Sequence, residues 1–508
     1  MSEARKRRKL YIVGIDSAPL WILKDYYRKR RFEGFSTLME RGVLTNLEST
    51  IPPMTGPSWP SIYTGFRPGE HGVPEFFKLE PSYTKTLVFY DPKIKEPFWE
   101  KLASHSLKSL VVTPAMLVKP TENRNVDMIT GYPLPAKFSS KEVKEVAGAH
   151  AFVGEPELEA KMRSGEMSLK ECADGYLQGI EARAAVSKDL IEKNDYDLAF
   201  VCFTEQDRVQ HFSLNLPEWK DYVLQLYEGI SDFLVWVERR AEREKATVMI
   251  VSDHGAQPVK EKFLINGWLV NNRFAKLKPA VEQQGAGQSL KYNLREKLIT
   301  SSMRKKIYYK LPKRMREAAK STFEKGLAGT SAGDLTLIHD FDYDMSRTKA
   351  FSSLSKCPMA MIFINDDRFD SPAVERGEKK ALKRKLMSEL RRIKDERGKP
   401  LIVGVYDADE YYEGTELFIA PDIIAEIAPG YILDPGSYMK SGGLLTEPEV
   451  AKRGDHLQNG IFGAISYGSK LNYSGIARKH LYVYNIEPTV MHYFGYPAEN
   501  DRRYKPIF

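Results

Sequence analysis

The 508-residue sequence contains only three cysteines and no long apolar run. The cysteines Cys172, Cys202 and Cys357 are widely spaced and odd in number, which excludes a disulfide scaffold and favours a reducing compartment with no disulfide partner. No stretch approaches the ~18 apolar residues of a membrane-spanning helix. The apolar stretch after Lys9 is shorter than the core of a secretion signal. We therefore expect a cytoplasmic protein, with peripheral contact to a membrane as an open alternative.

The overall composition is that of a globular protein. Hydrophobic residues make up 42% of the chain and charged residues 28%, which excludes a disordered or collagen-like chain. The length is sufficient to bury a sizeable core without disulfides or structural metals.

The net charge of +8 is concentrated in two segments. Residues 1–10 carry +4 and residues 271–330 carry +11, so that the other 438 residues carry −7. This asymmetry predicts contact with an anionic surface, either lipid headgroups or nucleic acid, through residues 1–10 and 271–334. A solvated basic arm with no such partner is the alternative.

Short apolar runs alternate with longer, charge-rich segments of helical pattern, such as 172–194 and 219–244. The runs are typical of buried parallel strands, and this alternation predicts an α/β fold with a doubly wound, mostly parallel sheet and helices on both faces. The predicted strands are 10–15, 109–113, 197–203, 246–251, 359–364 and 423–427.

The basic segment interrupts this pattern. We predict one catalytic domain built from residues 1–270 and 335–508, with 271–334 as a basic, helical insertion. Apolar residues spaced mostly by four between 291 and 325 indicate an amphipathic helix that is interrupted at Pro312.

Carboxylate and imidazole side chains follow three of the predicted strands, and a fourth cluster lies near the C-terminus. In open α/β sheets, ligands bind at the carboxyl ends of the strands, so these groups should meet at one edge. They suit divalent Zn²⁺, with Mn²⁺ as an alternative, and are numerous enough for two ions about 4 Å apart. The residues are Asp16, Asp207, His211, Asp253, His254 and His456.

The segment 50–73 is rich in hydroxyl groups and prolines. Its four prolines argue against a long helix upstream of Ser61, so we predict that a helix begins near Ser61–Thr64. A hydroxyl beside the start of a helix meets its positive end, which favours an anionic phosphoryl group. The candidate nucleophiles are Thr50, Thr55, Ser58, Ser61 and Thr64.

The order of motifs along the chain resembles the alkaline-phosphatase superfamily, and most closely its type I phosphodiesterase/nucleotide pyrophosphatase branch. The resemblance covers the chain apart from the basic insertion and implies an alkaline-phosphatase-like fold. The matching motifs are Asp16, Thr55-x-Pro57, Thr64-Gly65, Pro68-x-x-His71-Gly72, Asp207-x-x-x-His211, Ser252-Asp253-His254-Gly255 and Gly454-x-His456-x-x-x-Gly460.

The resemblance also implies roles for these residues. One ion would be bound by Asp16, Asp253, His254 and the Thr55 oxygen, and the other by Asp207, His211 and His456. Thr55 would attack phosphorus and form a phosphothreonyl intermediate, which water then resolves. Ser58 is the second choice for the nucleophile, Ser61 is expected to cap a helix, and His71 to brace the loop.

The chain departs from the resembled enzymes at Phe76, where the eukaryotic enzymes have an asparagine that touches a phosphate oxygen. Lys260, Lys262 and Arg208 are candidates to replace that contact, with solvated surface charge as the alternative. Trp59 could stack on a base or aryl leaving group, or simply pack in the core. Since Trp59 also occupies the position where sulfatases have an arginine, sulfatase activity is disfavoured.

These observations predict a metal-dependent hydrolase of phosphate esters, acting on a small-molecule phosphodiester or nucleotide pyrophosphate. A phosphomonoesterase or phosphomutase on the same fold is the first alternative, because the motifs do not separate these reactions. A catalytically silent protein that binds anionic surfaces through its basic segments is the second.

Overall fold

The computed structural model describes most of the chain outside the basic insertion. The described residues are 8–27, 32–132, 134–150, 152, 158–163, 165–278, 336–337, 343–352, 357–412, 415–435, 444–448, 452–498 and 503–508.

A seven-stranded sheet forms the centre of the molecule, with the strand order β2-β19-β8-β1-β7-β5-β6. Only β19 runs antiparallel to its neighbours. The structure thus confirms the predicted mixed α/β fold with a mostly parallel sheet. Numbered in chain order, the strands are β1 (Leu10–Ile15), β2 (Val43–Glu48), β5 (Ser109–Val112), β6 (Val126–Ile129), β7 (Leu198–Phe203), β8 (Thr247–Val251) and β19 (Asn459–Ser466).

Both faces of this sheet are buried, because apolar residues on alternate sides of each strand pack against different helices. In β1, Tyr11, Val13 and Ile15 belong to one hydrophobic core, whereas Leu10 and Ile12 belong to another. The helices are α1 (Leu20–Tyr27), α2 (Glu33–Arg41), α3 (Thr55–Thr64), α4 (Pro68–His71), α5 (Phe98–Ser104), α6 (Lys141–Ala149), α7 (Leu158–Arg163), α8 (Leu169–Lys193), α9 (Glu205–Ser213), α10 (Trp219–Glu244), α11 (Ile265–Asn271), α12 (Arg376–Leu390), α13 (Asp409–Tyr412), α14 (Tyr473–Ala477) and α15 (Ile486–Phe494).

A second, four-stranded sheet lies outside the central one and is antiparallel, with the order β12-β13-β15-β14. The predicted strands 359–364 and 423–427 form here, as neighbours, rather than in the central sheet. Their buried apolar runs look parallel in sequence because this sheet too is covered on both faces. Its strands are β12 (Ala350–Ser352), β13 (Met359–Ile364), β14 (Ile402–Asp407) and β15 (Ile423–Ile427).

The described residues also form three smaller sheets. One of them, the antiparallel pair β9 and β18, carries part of the candidate site. The remaining strands are β3 (Phe77–Leu79), β4 (Lys85–Leu87), β9 (Gly255–Pro258), β10 (Glu261–Leu264), β11 (Thr336–Leu337), β16 (Tyr431–Asp434), β17 (Leu445–Thr446) and β18 (Gly454–Leu457).

Almost all of the predicted basic insertion, from residue 279 to 334, lies outside the described residues, as do residues 1–7. The amphipathic helix and the contact with an anionic surface therefore stay predictions. Among the residues that the structure describes, no helix is both long enough and apolar enough to cross a membrane.

Candidate active site

The predicted acidic residues meet at the carboxyl edge of the central sheet. Strands β8, β1 and β7 are adjacent and in parallel register, so the loops that leave them lie side by side. Asp16 follows β1 directly, Asp253 follows β8 after one residue, and Asp207 lies in the first turn of α9, just after β7. The sheet itself thus brings three carboxylates from distant parts of the sequence together.

Asp16, Asp253 and His254 form a fully buried group, which we call the first ligand set. The His254 Nε2 atom lies 3.6 Å from Asp16 Oδ1 and 3.2 Å from Asp253 Oδ2. Asp253 Oδ1 accepts a hydrogen bond from the Ser17 backbone N–H, whereas Asp253 Oδ2 makes no hydrogen bond with any of the described residues. A buried carboxylate oxygen that faces an imidazole nitrogen without a hydrogen bond is suited to a cation.

Asp207, His211 and His456 form the second ligand set. Asp207 Oδ1 lies 3.5 Å from His211 Nε2 and 4.0 Å from His456 Nε2, and the two imidazole nitrogens are 3.2 Å apart. Asp207 Oδ1 is buried and makes no hydrogen bond within the part of the chain that the structure describes. The two sets adjoin, because the His254 and His456 ring centroids are only 4.0 Å apart.

Backbone carbonyls orient two of the imidazoles. His211 Nδ1 lies 2.8 Å from the Gly454 oxygen, and His254 Nδ1 lies 3.0 Å from the Gly255 oxygen. An N–H at Nδ1 that donates to a carbonyl leaves the Nε2 lone pair directed into the cluster, the usual arrangement of a metal-binding histidine. Burial lowers the pKa of His211 and His456, which keeps both rings neutral at neutral pH.

The carboxylates of the two sets experience different electrostatic environments. Burial raises the pKa of Asp253 to about 6, and burial with the charges of Asp253 and Asp207 raises the pKa of Asp16. Burial would also raise the pKa of Asp207, but His211, Arg208 and His254 outweigh it and hold that pKa at about 2. The first set is therefore short of positive charge and the second is not.

The donor types, the buried oxygens without hydrogen bonds and the oriented imidazoles fit divalent cations. Carboxylate oxygen and neutral imidazole nitrogen are the donors that Zn²⁺ and Mn²⁺ accept. Among the described residues, three groups of side chains each have ligand atoms within 4.8 Å of one another, and one of them, Asp207 with His254 and His456, bridges the two sets.

Thr55 is the first residue of α3 and lies above the first ligand set. Its Oγ1 donates to Asp16 Oδ1 at 3.4 Å and lies 3.3 Å from His254 Nε2. The predicted helix start near Ser61 is therefore wrong. The helix begins six residues earlier. Pro57 lies in its first turn, where the missing N–H would have no helical partner, whereas Pro60 lies inside the helix.

The other hydroxyls of this segment are engaged elsewhere. Ser58 Oγ lies 2.8 Å from Ser49 Oγ and 2.7 Å from Thr50 Oγ1, and Thr64 Oγ1 donates to the Pro60 oxygen. Ser61 lies inside the helix and does not cap it.

Ser61 instead contacts the loop that follows the helix. Its Oγ is 2.9 Å from His71 Nε2, while His71 Nδ1 accepts from the Val73 N–H at 3.3 Å. His71 is fully buried, and burial lowers its pKa to about 3, so a neutral ring links helix and loop.

Gly56, directly after Thr55, lets another backbone segment pass close to the start of α3. A Cβ atom at this position would lie 2.9 Å from the Glu75 carbonyl carbon and 3.0 Å from the Phe76 nitrogen. These contacts are too short for any side chain, so the chain needs glycine here. Phe76, the residue that departs from the resembled enzymes, thereby lies beside the head of α3.

Of the three predicted substrate contacts, Lys262 and Trp59 are engaged within the protein, whereas Lys260 is exposed. Lys262 Nζ pairs with the buried Asp434 carboxylate at 3.0 Å, and the Lys260 N–H bonds to the Gly430 oxygen. Trp59 is fully buried, stacks on Tyr63, and its Nε1 donates to Asp16 Oδ2 at 3.4 Å. The structure thus places Trp59 in the core beneath the first ligand set.

Arg208 is the candidate cation that does reach the site. Its guanidinium contacts Asp207 Oδ2 and lies over the Tyr132 ring, with Cζ 3.7 Å from the ring centroid. Tyr132 was not singled out from the sequence, although its position just beyond the carboxyl end of β6 is the signal that located the other site residues.

Asp455 was also overlooked within the Gly-x-His motif. It is buried, accepts from the His456 N–H at 2.8 Å, and lies 3.3 Å from Lys452 Nζ. Together with His211 and His456 it forms another group of potential ligands.

Comparison with solved structures shows that the chain shares its fold with known enzymes. Phosphonoacetate hydrolase from Sinorhizobium meliloti 1021, in complex with phosphonoacetate, aligns with a TM-score of 0.54 and 14% identity, covering 96% of each chain. Its phosphonoformate complex gives a TM-score of 0.52 at 13% identity, with the same coverage. Murine ectonucleotide pyrophosphatase/phosphodiesterase 5 aligns with a TM-score of 0.47 and 12% identity, over 97% of this chain and 96% of that chain.

A search of curated proteins by sequence gives no match. In contrast, the family model described as type I phosphodiesterase/nucleotide pyrophosphatase matches residues 10–456. This match confirms the family that the motifs indicated, together with the predicted alkaline-phosphatase-like fold and the hydrolase class. The chain therefore belongs to the type I phosphodiesterase/nucleotide pyrophosphatase family.

Proposed function

We propose that the protein hydrolyses phosphodiester or nucleotide pyrophosphate bonds with two divalent cations and a threonine nucleophile. The observation that carries this proposal is the position of Thr55 Oγ1, at the head of α3 and within 3.4 Å of both Asp16 Oδ1 and His254 Nε2. The proposed cation is Zn²⁺, with Mn²⁺ as the alternative, because three carboxylates and three imidazoles make up the two sets.

Each ligand set holds one cation in this proposal. Asp16, Asp253, His254 and Thr55 Oγ1 would bind the first, and Asp207, His211 and His456 would bind the second. When bound, such a pair would supply Lewis acidity and a nucleophilic water at neutral pH.

Thr55 attacks the phosphorus atom through Oγ1. Its hydroxyl proton is directed at Asp16 Oδ1, and the first N–H groups of α3 face the negative charge that develops on the phosphoryl oxygens. The bond between Oγ1 and phosphorus forms as the bond to the leaving oxygen breaks, on the opposite side. Water then cleaves the phosphothreonyl ester and restores the hydroxyl.

The non-bridging oxygens need a partner other than the asparagine that Phe76 replaces. The Gly56 N–H is one candidate, since it follows the nucleophile and lies at the start of the helix. The Arg208 guanidinium is another, because it adjoins the second ligand set. Trp59 and Lys262 are unsuitable, since the one is fully buried and the other is paired with Asp434.

The proposal is tested with a substrate panel and two variants of Thr55. The panel contains an aryl diester, an aryl monoester, a nucleoside triphosphate, a dinucleotide, a sugar nucleotide, a phospholipid and a phosphonate, each supplied with Zn²⁺ or Mn²⁺. We expect diester or pyrophosphate hydrolysis, with kcat lowered at least about a thousand-fold by Thr55→Ala, while Thr55→Ser retains part of the activity.

The metal content and melting temperature of Thr55→Ala serve as controls for an intact site. Undiminished hydrolysis by Thr55→Ala would refute the nucleophile. Faster hydrolysis of the monoester than of every diester would favour the phosphomonoesterase alternative.

A further inference from the structure

The two oxygens of Asp207 have different surroundings. Oδ1 faces the imidazole nitrogens of the second ligand set, 3.5 Å from His211 and 4.0 Å from His456, and among the described residues it has no hydrogen-bond partner. Oδ2 contacts the Arg208 guanidinium. One oxygen is thus directed at the place of the second cation, and the other is held by the protein.

The Arg208 guanidinium is itself held by an aromatic ring. Its Cζ atom lies 3.7 Å from the Tyr132 ring centroid, which is van der Waals contact between the guanidinium and the face of the ring. Arg208 is 6% exposed, so this contact is shielded from water. Phe76 meets the same ring edge to face, at 6.3 Å between centroids and an interplanar angle of 86°.

We propose that Tyr132 is a positioning residue for the second cation: its face fixes Arg208, which fixes Asp207 so that Oδ1 points at His211 and His456. The inference rests on the proposed function, since it assigns Tyr132 to one of the two cation sites. A carboxylate already held in place loses little rotational freedom when the cation binds, and this raises the affinity of the site.

The residue types support this arrangement. A guanidinium is flat, so it can stack on a ring with one face and at the same time donate hydrogen bonds from its edge to a carboxylate. An ammonium group has no flat face with which to stack. Phe76 contributes an apolar contact to Tyr132 rather than a polar contact to the substrate. The departure from the resembled enzymes at this position is thereby explained as part of the support for Arg208.

The test is calorimetric titration of metal-free protein with Mn²⁺, whose weaker binding brings both sites into a measurable range. Titration of His456→Ala shows which of the two binding steps belongs to the second site, because this variant lacks one ligand of the second set and none of the first. We expect Tyr132→Leu to weaken the second site about ten-fold and to leave the first unchanged. Tyr132→Phe retains the ring face and should bind as the wild-type protein does.

Tyr467→Leu is the matched control, since it removes another cation–π contact, with Arg41 at 5.6 Å, that involves none of the proposed ligands. It should leave both affinities unchanged. Should Tyr132→Leu fail to fold, Arg208→Lys, which keeps the charge and loses the flat stack, is expected to weaken the second site in the same way.

Two outcomes distinguish this inference from the proposed function. A folded Tyr132→Leu or Arg208→Lys protein that binds two ions with wild-type affinities would overturn the role of Tyr132 alone. A wild-type protein that takes up fewer than two ions would contradict the proposed two-cation site and the inference with it.

Discussion

The two ligand sets differ in composition, burial and origin. The first has two carboxylates and one imidazole, all fully buried, on loops that leave the adjacent strands β1 and β8. The second has one carboxylate and two imidazoles, and the His211 side chain is 17% exposed. Its members come from α9 and from β18, which lies outside the central sheet.

This difference indicates that the two sites depend on different parts of the structure. The pairing of β1 with β8 fixes the positions of the first set, so these side chains move only if the central sheet itself is disturbed. The second set requires α9 and β18 to pack correctly, and the hydrogen bonds from the Arg453 N–H to the His211 oxygen and from His211 to Gly454 provide that packing. We therefore expect the second site to be the more easily disturbed of the two.

Among changes to the carboxylates and imidazoles of the two sets, Asp253→Asn should have the largest effect. The amide keeps the shape but loses the charge of a ligand in the set that is short of positive charge, so we expect loss of the first ion and a decrease in kcat of about a thousand-fold. Elemental analysis and steady-state kinetics measure the two effects. Unchanged stoichiometry and rate would remove Asp253 from the ligand sets.

His456→Ala should have a smaller effect, because Asp207 and His211 remain. We expect loss or weakening of the second ion and a decrease in kcat of about a hundred-fold, partly restored by high metal concentration. His150→Ala, which alters a histidine paired with Asp189 outside both sets, is the control. A His456→Ala protein that is as active as this control would contradict the second set.

The smallest predicted effect is on the stability of the metal-free protein, and it has opposite signs in the two sets. The pKa of Asp253 is raised to about 6, so its contribution to stability falls as pH rises from about 4 to about 6. The pKa of Asp207 is lowered to about 2, so its contribution is present above about pH 4 and is lost as pH falls toward 2.

At pH 7, therefore, Asp253→Asn should stabilise the metal-free protein and Asp207→Asn should destabilise it, each by a few kcal/mol. Urea denaturation in the presence of a chelator measures both changes. If both variants changed the free energy of unfolding in the same direction, the predicted electrostatic difference between the two sets would be wrong.

Much of the first ligand set could be predicted from the sequence. A continuous apolar run followed by an acidic residue marks a buried parallel strand with a ligand at its carboxyl end, and Asp16 and Asp253 both fit this pattern. The signal is local, because strand and ligand are neighbours in the sequence.

Other features depend on contacts between distant segments and left no such local signal. The start of α3 was misplaced because the helix contains Pro57 in its first turn and Pro60 in its interior, and Trp59 is buried because the sheet packs against that helix. The antiparallel sheet that contains Met359–Ile364 was unexpected, since burial on both faces erases the alternation that marks such strands. Tyr132 belongs to no motif and meets Arg208 only in the folded chain.

The most direct test of two unequal cation sites is stepwise removal of the metal by a chelator, followed by elemental analysis and activity. We predict two ions per chain in the loaded protein. Since the second set is more exposed, its ion should leave first, giving a one-ion form with kcat lowered about a hundred-fold that regains activity when metal is restored. Release of both ions in one step, or a protein that never binds two, would contradict this account.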